Sequence, residues 1–546
     1  MILIFFPVKK THLILLSLLS GIILALGWPV RGFPGLLFVG LVPLLWMEDH
    51  ILRNRERFSP FAALFYSYPA FLAWNGLTTW WIYNSTGVGA IFAIVANSFF
   101  MSVVFQAFHF SRKKLRFAPA GYACLVFYWM AFEYLHLNWN LNWPWLNLGN
   151  GFSSRYKWVE WYEYTGAMGG TLWVLAANIL AFGILAFILQ KRWKKIWIFG
   201  PFLAGWILLP LGISFLIYFN YQEKKEPVNI VVVQPNLDPY QEQYTVPPPE
   251  VIRRIMNLAG PAIDSSTDFL VAPESAIQEQ MWENDINTFQ SIRLLKGVIR
   301  EYPSLNIVIG GSTFRMFEKG EPLSRTARKF TDSEGHYDAF NTAILINASD
   351  SLQLYHKSKL TPGVEILPSF GKLRFLEKFA LDLGGTVGSL GTDPLRKVYS
   401  AIGTVKVSPT ICYESVFGEF FSEFVRNGAQ VMFIITNDGW WGNTAGYRQH
   451  FSFAALRAIE NRRSIARAAN TGISAFIDQR GDAAQVTRYW EPAVIRGSVN
   501  ANSALTFYTQ HGDYLARIAA GCGGLMFLAS IALHFISRRS LKKNHP

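Results

Sequence analysis

The apolar positions of this chain fall into two textures. The first two hundred or so residues, and a stretch near the C-terminus, carry long unbroken apolar runs at roughly 11–27, 33–48, 60–82, 89–110, 118–137, 167–190, 196–219 and 515–537. Most are long enough, at about 1.5 Å per helical residue, to cross a hydrocarbon core of about 30 Å. The first run follows Lys9 and Lys10 as a signal peptide would. It ends in "GWPVRGFPG" with no small-x-small cleavage site, so it reads as an anchor. Between 220 and 514 the runs are short, rich in Val and Ile, and end in Pro, Gly or Asn. They are "VNIVVVQPN" (228–236), "DFLVAPES" (268–275), "LNIVIGGS" (305–312), "AILINASDSLQLYHKSKL" (343–360), "VKVSPTICYES" (405–415) and "VMFIITND" (431–438), each predicted as a buried strand. Helical periodicity lies between them at 249–259, 288–301, 416–427 and 446–463. Strands alternating with helices predict an α/β sheet covered on its faces.

Composition agrees with the first texture: 51% of the 546 residues are hydrophobic and 16% aromatic. The formal charge of +13 is concentrated beside the apolar runs. Lys9/Lys10, the Arg53/Arg55/Arg57 loop, "SRKKLR" (111–116), "QKRWKK" (190–195) and the tail "SRRSLKKNHP" fall on one side if all eight runs span, and by the positive-inside rule that side is the cytoplasm. The opposite loops, "WNGLTTWWIYNSTG" (74–87) and "LNWNLNWPWLNLGNGF" (137–152), carry the aromatic residues that favour a membrane–water boundary. They read as an aromatic belt or as a mouth for lipid chains. The expected organisation is a membrane domain of seven transmembrane helices (1–219), an extramembrane domain on the periplasmic side (220–514), and a last transmembrane helix with a basic cytoplasmic tail (515–546). Basic clusters at membrane edges, with no nucleic-acid motif, argue against a nucleic-acid partner.

Three cysteines make no disulfide framework, and none has zinc-ligand spacing, so no metal and no cofactor is expected. Cys124 and Cys522 sit in apolar runs; Cys412 sits in the extramembrane part. Reactive side chains collect at strand ends in α/β folds, and three lie there: Glu274, Lys357 and Cys412. A helix predicted about four residues after Cys412 favours the thiolate through its N-terminal dipole; a carboxylate could instead take the thiol proton during attack. Carboxylate, ammonium and thiol make a workable acyl-transfer set. The blander readings are a buried cysteine acting as a small hydrophobe, solvated Lys357 and Lys359, and a helix-capping Glu274. A Cys–His pair with His450 is a further option, although "YRQHF" reads as part of a helix whose histidine packs or pairs.

The local sequences carry a resemblance. "APESA" (272–276), "YHKSKLTPGVE" (355–365) and "ICYESVFGE" (411–419) resemble, in order, the glutamate, lysine and cysteine motifs of the nitrilase superfamily. "TNDGWWG" (436–442) and "QHFSFAALRAIENRRSIARAANTGISAFID" (449–478) resemble its later segments, and "FEYLHLNWNLNWPWLNLGN" (132–150) resembles the aromatic loop of its membrane-embedded branch, the apolipoprotein N-acyltransferases. The resemblance covers essentially the whole chain. It implies a polytopic α-helical membrane domain plus an extramembrane α/β nitrilase-like domain, an αββα sandwich, in the bacterial inner membrane. It implies Glu274 as general base, Lys357 as oxyanion-stabilising lysine and Cys412 as nucleophile. Glu365, Tyr413 and Glu414 would support them, and Trp440 and Trp441 would belong to an arm near the acyl chain. The implied partners are a phospholipid acyl donor, typically phosphatidylethanolamine, and a diacylated apolipoprotein acceptor; a monomer is the default expectation. Ala272, Gly363-Val364, Gly439 and Trp441 depart from the residues the family often has there, which bears on the acyl pocket and lid. A membrane-tethered amidase or nitrilase-type hydrolase, and a non-enzymatic receptor on a dead nitrilase fold, are the alternatives.

Overall fold

The computed structural model describes residues 9–115, 117–331, 333–362, 364–366 and 389–543. Arg116 of the third basic cluster, Gly363 of the lysine motif and residues 544–546 of the tail lie outside them. The chain divides into two units. One comprises Met1–Trp80, Ala90–Phe219 and Asp513–Pro546; the other comprises Trp81–Gly89 and Asn220–Gly512.

The first unit is helical. Each apolar run lies on a helix: α1 (Lys10–Leu26), α2 (Val42–Arg53, preceded by a 3₁₀ turn at Pro34–Phe38), α3 (Ala62–Thr79), α4 (Gly87–Lys114), α5 (Ala118–Asn138), α6 (Tyr162–Leu189), α7 (Trp193–Asn220) and the last helix of the chain, Tyr514–Lys543. Among the described residues five helical stretches are long and apolar enough to cross a membrane: Pro34–Arg53, Gly87–Lys114, Tyr162–Leu189, Trp193–Asn220 and Tyr514–Ser537. Their outward faces stay apolar. On α7, Trp197, Leu209 and Phe219 are 81%, 68% and 74% exposed, a surface that needs hydrocarbon rather than water around it.

The second unit contains two sheets. Fourteen strands are described: β1 (Pro227–Gln234), β2 (Phe269–Val271), β3 (Ile277–Trp282), β4 (Asn306–Met316), β5 (Arg328–Lys329), β6 (His336–Ile346), β7 (Gln353–His356), β8 (Tyr399–Ser400), β9 (Lys406–Ile411), β10 (Val431–Thr436), β11 (Ile465–Ala469), β12 (Ala475–Ile477), β13 (Ala483–Ala484) and β14 (Ala493–Asn500). One sheet has the order β14-β1-β2-β4-β6-β5, with β3 on β4 and β7 on β6; the other has the order β13-β12-β11-β10-β9-β8. The sheets face each other. Phe269 on β2 meets Phe433 on β10 edge to face at 5.1 Å, and the Tyr399 hydroxyl of β8 donates to the Ala343 carbonyl of β6 at 2.6 Å. Helices α8 (Pro248–Ala259) and α9 (Gln290–Glu301) cover the larger sheet. Ile252, Ile255, Ile292 and Leu295 enter one buried cluster with Val231 and Ile307. Helices α10 (Gly418–Arg426) and α11 (Ala445–Asn461) pack on each other beside the smaller sheet. The result is the αββα sandwich.

Two expectations need correction. The run 343–360 is not one strand: the chain turns after Ile346, and β7 returns antiparallel to β6, pairing Thr342 with His356. The polar "NASDS" (347–351) is the cause, since its short side chains stabilise turns against strand. Cys412 does not precede an α-helix by four residues. It is itself the first residue of a 3₁₀ turn, Cys412–Val416, and α10 starts only at Gly418.

Strand direction brings the reactive residues together. β1, β2 and β4 are parallel; β6 opposes β4 and β7 opposes β6, so β7 runs with β4. β9, β10 and β11 are parallel in the facing sheet. Glu274 follows the C-terminal end of β2, Lys357 that of β7, Cys412 that of β9 and Asn437 that of β10, where α/β folds place their sites.

Candidate active site

Glu274 and Lys357 are buried, 7% and 2% exposed, which excludes the solvated-charge reading, and Glu274 leads into a strand, β3, rather than a helix, which excludes capping. The Lys357 ammonium donates to Glu274 Oε1 at 3.0 Å and to Glu365 Oε1 at 2.9 Å. Burial alone would lower the pKa of Lys357, but the carboxylates of Glu274 and Glu365 outweigh it and hold the ammonium well above its ordinary range. Burial likewise pushes Glu365 up, and Lys357 overrides it, leaving that carboxyl below its ordinary value. Both groups are therefore ionised at neutral pH.

Glu274 is fixed on three sides. Besides Lys357, the Asn341 amide donates to Oε1 at 2.8 Å and the Asn437 backbone N–H donates to Oε2 at 3.1 Å. Asn341 also donates to Glu365 Oε1 at 2.9 Å, and the Thr361 N–H to Glu365 Oε2 at 2.9 Å. β4 supports the Glu274 loop from below. Gly310 N–H donates to the Pro273 carbonyl at 3.0 Å, and a Cβ at Gly310 would stand 2.6 Å from Glu274 Cα and from Ser275 N. Gly310→Ala must push that backbone away. We expect a loss of about 1–3 kcal/mol of stability, as for overpacked cores, and a fall in acylation of about 10- to 100-fold, because small misplacements of a catalytic group are costly. A Gly310→Ala enzyme of wild-type activity would show that the loop shifts as a body without moving the carboxylate.

Cys412 is buried and sits at φ +50°, a left-handed conformation that a non-glycine residue holds only under constraint. The constraint is Glu414, fully buried. Its Oε2 accepts the Ile411 N–H at 2.8 Å. Its Oε1 accepts the Tyr355 hydroxyl at 2.7 Å and the N–H groups of Ser358 at 2.6 Å and Lys359 at 3.2 Å. One carboxylate thus ties the cysteine turn to the loop that carries Lys357. Lys359 is half-buried, and its ammonium lies 5.0 Å from the centre of the Phe417 ring. The helix dipole does not win at the thiol. Burial, then the charge of Glu274, raises the pKa of Cys412 well above the ordinary thiol range, against the opposing effect of Lys357. The resting group is the neutral thiol, so attack requires a base.

His450, on α11, directs Nε2 to the backbone carbonyl oxygen of Cys412 at 3.0 Å, and Nδ1 lies 2.9 Å from Asp438 Oδ1. Donor atoms of Cys412, Asp438 and His450 lie within 4.8 Å of one another, the makings of a metal-ligand group. The guanidinium of Arg467 already occupies the cation's role, 2.7 Å from Asp438 Oδ2 and 3.0 Å from His450 Nδ1, so a metal would compete with a fixed positive charge there.

Trp440 and Trp441 are half-buried. Trp441 meets Trp81 at 5.0 Å and His450 at 5.5 Å, both edge to face, and its carbonyl accepts the Asn84 amide at 2.9 Å. Trp440 meets Tyr240 at 5.1 Å, whose hydroxyl donates to the Trp440 carbonyl at 2.7 Å. The segment Trp81–Gly89, read from the sequence only as part of an aromatic loop, thus packs on the tryptophan pair within the second unit. Asn341, Asp438, Ser415 and Arg467 were not singled out from the sequence. Asn341 did leave a sign, an amide in the middle of the apolar run "DAFNTAILI".

A buried thiol, carboxylate and ammonium at facing strand ends of an αββα sandwich define a class. The carbon-nitrogen hydrolase model matches residues 230–505, half of the chain, and the chain belongs to that family. A second model, described as the apolipoprotein N-acyltransferase N-terminal domain, matches residues 20–180. Relatives span both halves. The apolipoprotein N-acyltransferase of Chlorobaculum tepidum is 29% identical over 94% of this chain and 96% of its own. That of Geobacter metallireducens is 27% identical over 92% of each. Within the nitrilase superfamily, the chain is accordingly a membrane-embedded acyltransferase of the apolipoprotein N-acyltransferase group. A solved amidase, NitN from Neterenkonia sp. AN1, is 17% identical over 53% of this chain and 98% of its own, at a TM-score of 0.35.

Proposed function

We propose that the chain moves an acyl group from a phospholipid, typically the sn-1 chain of phosphatidylethanolamine, through a thioester on Cys412 to the N-terminal amine of a diacylglyceryl-cysteine apolipoprotein. The observation that carries this reading is the buried Cys412 thiol, held neutral by its surroundings, on strand ends shared with the Glu274 carboxyl and the Lys357 ammonium, which lie 3.0 Å apart. Glu274 takes the thiol proton as Sγ attacks the ester carbonyl. The negative oxygen that forms is met by the Lys357 ammonium and the Tyr413 N–H. When the ester C–O bond breaks, Glu274 returns the proton to the departing lysophospholipid alkoxide. In the second half-reaction the amine forms the N–C bond, the S–C bond breaks, and one amine proton passes by way of Glu274 to the thiolate. Glu365 keeps Lys357 in place and Glu414 holds the turn. Trp440 and Trp441 shield the thioester from water, which would otherwise compete with the amine.

Both substrates carry chains that stay in a bilayer, so this function needs a membrane protein, and apolar helices with outward-facing apolar side chains support that. The same reading assigns seven transmembrane helices to residues 1–219, residues 220–514 to the periplasmic face of the bacterial inner membrane, and 515–546 to a final helix and cytoplasmic tail. The protein acts as a monomer without a cofactor.

Intact mass after incubation with phosphatidylethanolamine tests this. Wild type is expected to gain one acyl chain and lose it quickly to a diacylated lipopeptide and slowly to water, while Cys412→Ala gains none. An adduct that water discharges as fast as the lipopeptide would make the enzyme a hydrolase; no adduct with any phospholipid would end the reading.

A further inference from the structure

Behind the nucleophile lies a buried polar set that the steps above do not use. Asp438, fully buried after β10, accepts from Thr436 Oγ at 2.8 Å and from Arg467 Nη2 at 2.7 Å. His450 is fully buried beside it. Its Nε2 lies 3.0 Å from the Cys412 carbonyl oxygen and 2.9 Å from Ser415 Oγ, and the Ser415 hydroxyl donates to the same carbonyl at 2.7 Å. Trp441, backed by Trp81, closes the remaining face of the ring.

The ring hydrogens are assigned from these contacts. A carbonyl oxygen can only accept, and Ser415 gives its one hydrogen to the same oxygen, so we assign the N–H to Nε2; the other neutral tautomer, Nδ1–H toward Asp438 with Nε2 accepting from Ser415, would leave that buried carbonyl without either donor. If the ring is neutral, Nδ1 accepts from Arg467 at 3.0 Å; if it is protonated, Nδ1–H donates to Asp438 at 2.9 Å. In this assignment either charge state presents Nε2–H to the carbonyl. The Cys412 carbonyl and the Tyr413 N–H belong to one planar trans peptide and point in opposite directions. Two donors gripping the oxygen therefore aim the N–H the other way. The grip is needed because Cys412, at φ +50°, holds a sparsely populated conformation that costs about 1–3 kcal/mol. Rotation of the plane would turn a carbonyl toward the developing oxyanion in place of a donor.

We infer that His450, together with Ser415, is a positioning residue that locks the Cys412–Tyr413 peptide plane so that the Tyr413 N–H faces the oxyanion. The inference rests on the acyl-transfer reading above. It makes His450 neither the thiol's base nor a partner of sulfur. Its signature is a split between two reactions of the same thiol. Attack on an ester builds an oxyanion. Attack on iodoacetamide forms an S–C bond and expels iodide, the thiol proton going to base, and builds none.

The test uses the full-length protein in detergent, as wild type, His450→Ala, His450→Gln and Ser415→Ala. Single-turnover acylation is followed with phosphatidylethanolamine and, separately, with a nitrophenyl ester; alkylation is followed with iodoacetamide. His450→Ala is expected to acylate about 30-fold more slowly with both donors, less than the loss of an entire oxyanion donor, with KM for the donor within about twofold. Its alkylation rate should stay within about threefold of wild type, since no oxyanion needs the donor. His450→Gln, which keeps an N–H donor at similar reach, should recover most of the acylation, and Ser415→Ala should show a smaller loss with the same split. Unchanged acylation in His450→Ala, or alkylation falling in step with it, overturns the inference. If His450→Ala does not fold, Ser415→Ala and His450→Gln decide: a missing split in the first, or an inactive second, overturns it. Wild type that reacts with the nitrophenyl ester and never with phospholipid would defeat the proposed donor while leaving the positioning role measured.

Discussion

Glu274→Gln is expected to leave a folded, lipid-binding protein whose acylation of Cys412 is slower by about 10³- to 10⁴-fold, the upper part of the range for a lost general base. The substitution keeps the shape of the site. The glutamine carbonyl can still accept from Asn341 or the Asn437 N–H, and Lys357 retains Glu365 as its ion partner. What is lost is the acceptor for the thiol proton, and the thiol cannot do without one. Burial and the Glu274 charge hold it well above the ordinary cysteine range. Removing the Glu274 charge lowers the thiol pKa part of the way, and the burial remains. In the variant only thiolate formed by bulk hydroxide reacts, so its residual rate should climb about tenfold per pH unit through the neutral range, as expected for a group titrating far above it. Wild type, with an internal base, should be much flatter there. Single-turnover intact-mass kinetics between pH 6.5 and 9 would show both effects. Acylation within tenfold of wild type at pH 7.5 would mean that another group takes the proton.

The two textures and the sheet were legible because long apolar runs, and Val/Ile-rich runs ended by Pro, Gly or Asn, have few alternative folds. Glu274, Lys357 and Cys412 could be named as strand-end residues. What joins them was not legible. Asn341 bridges two carboxylates that are 91 residues apart in sequence, Glu274 and Glu365, and only the antiparallel register of β4 and β6 puts it there. Glu414 could be quoted as the residue after a tyrosine, but its four donors come from two separate stretches of chain, 355–359 and Ile411. The sequence left the state of the thiol open, between a dipole-favoured thiolate and a neutral thiol with a base, for a related reason. A dipole argument uses only the local chain, whereas the largest influence on Cys412 is burial, set by both sheets together. His450 could be placed on a helix by periodicity, yet its partner is a backbone oxygen 38 residues earlier, which no side-chain pattern encodes.

Lys357→Met separates stability from chemistry at this site. Wild type holds one buried ammonium between a buried carboxylate, Glu274, and a largely buried one, Glu365. Removing the ammonium leaves Glu274 and Glu365 sharing the Asn341 amide with no cation, and breaking a buried pair from one side costs about 3–5 kcal/mol. The thermal midpoint of the catalytic unit should fall by ~5 °C or more. Acylation should fall by about 10⁴-fold, because an oxyanion donor is lost and one of two facing carboxyls then takes up a proton at neutral pH, compromising the base. The pH dependence should reverse sign. In wild type the Glu365 pKa is depressed, so its contribution is present above the ordinary carboxylate range and is lost as pH falls through the folded value. In Lys357→Met the like charges raise the pair's folded pKa. Its stability is then greatest below the ordinary carboxylate range and is lost as pH rises, so acidification from pH 7.5 to 5.5 should narrow the gap to wild type. Adding Glu365→Gln to Lys357→Met removes one of the stranded charges and should restore much of the midpoint. Acylation should stay lost, because glutamine at position 365 supplies no cation to the oxyanion. A double variant that regains activity along with stability would mean that Lys357 serves only to balance charge, leaving the oxyanion to the Tyr413 N–H alone.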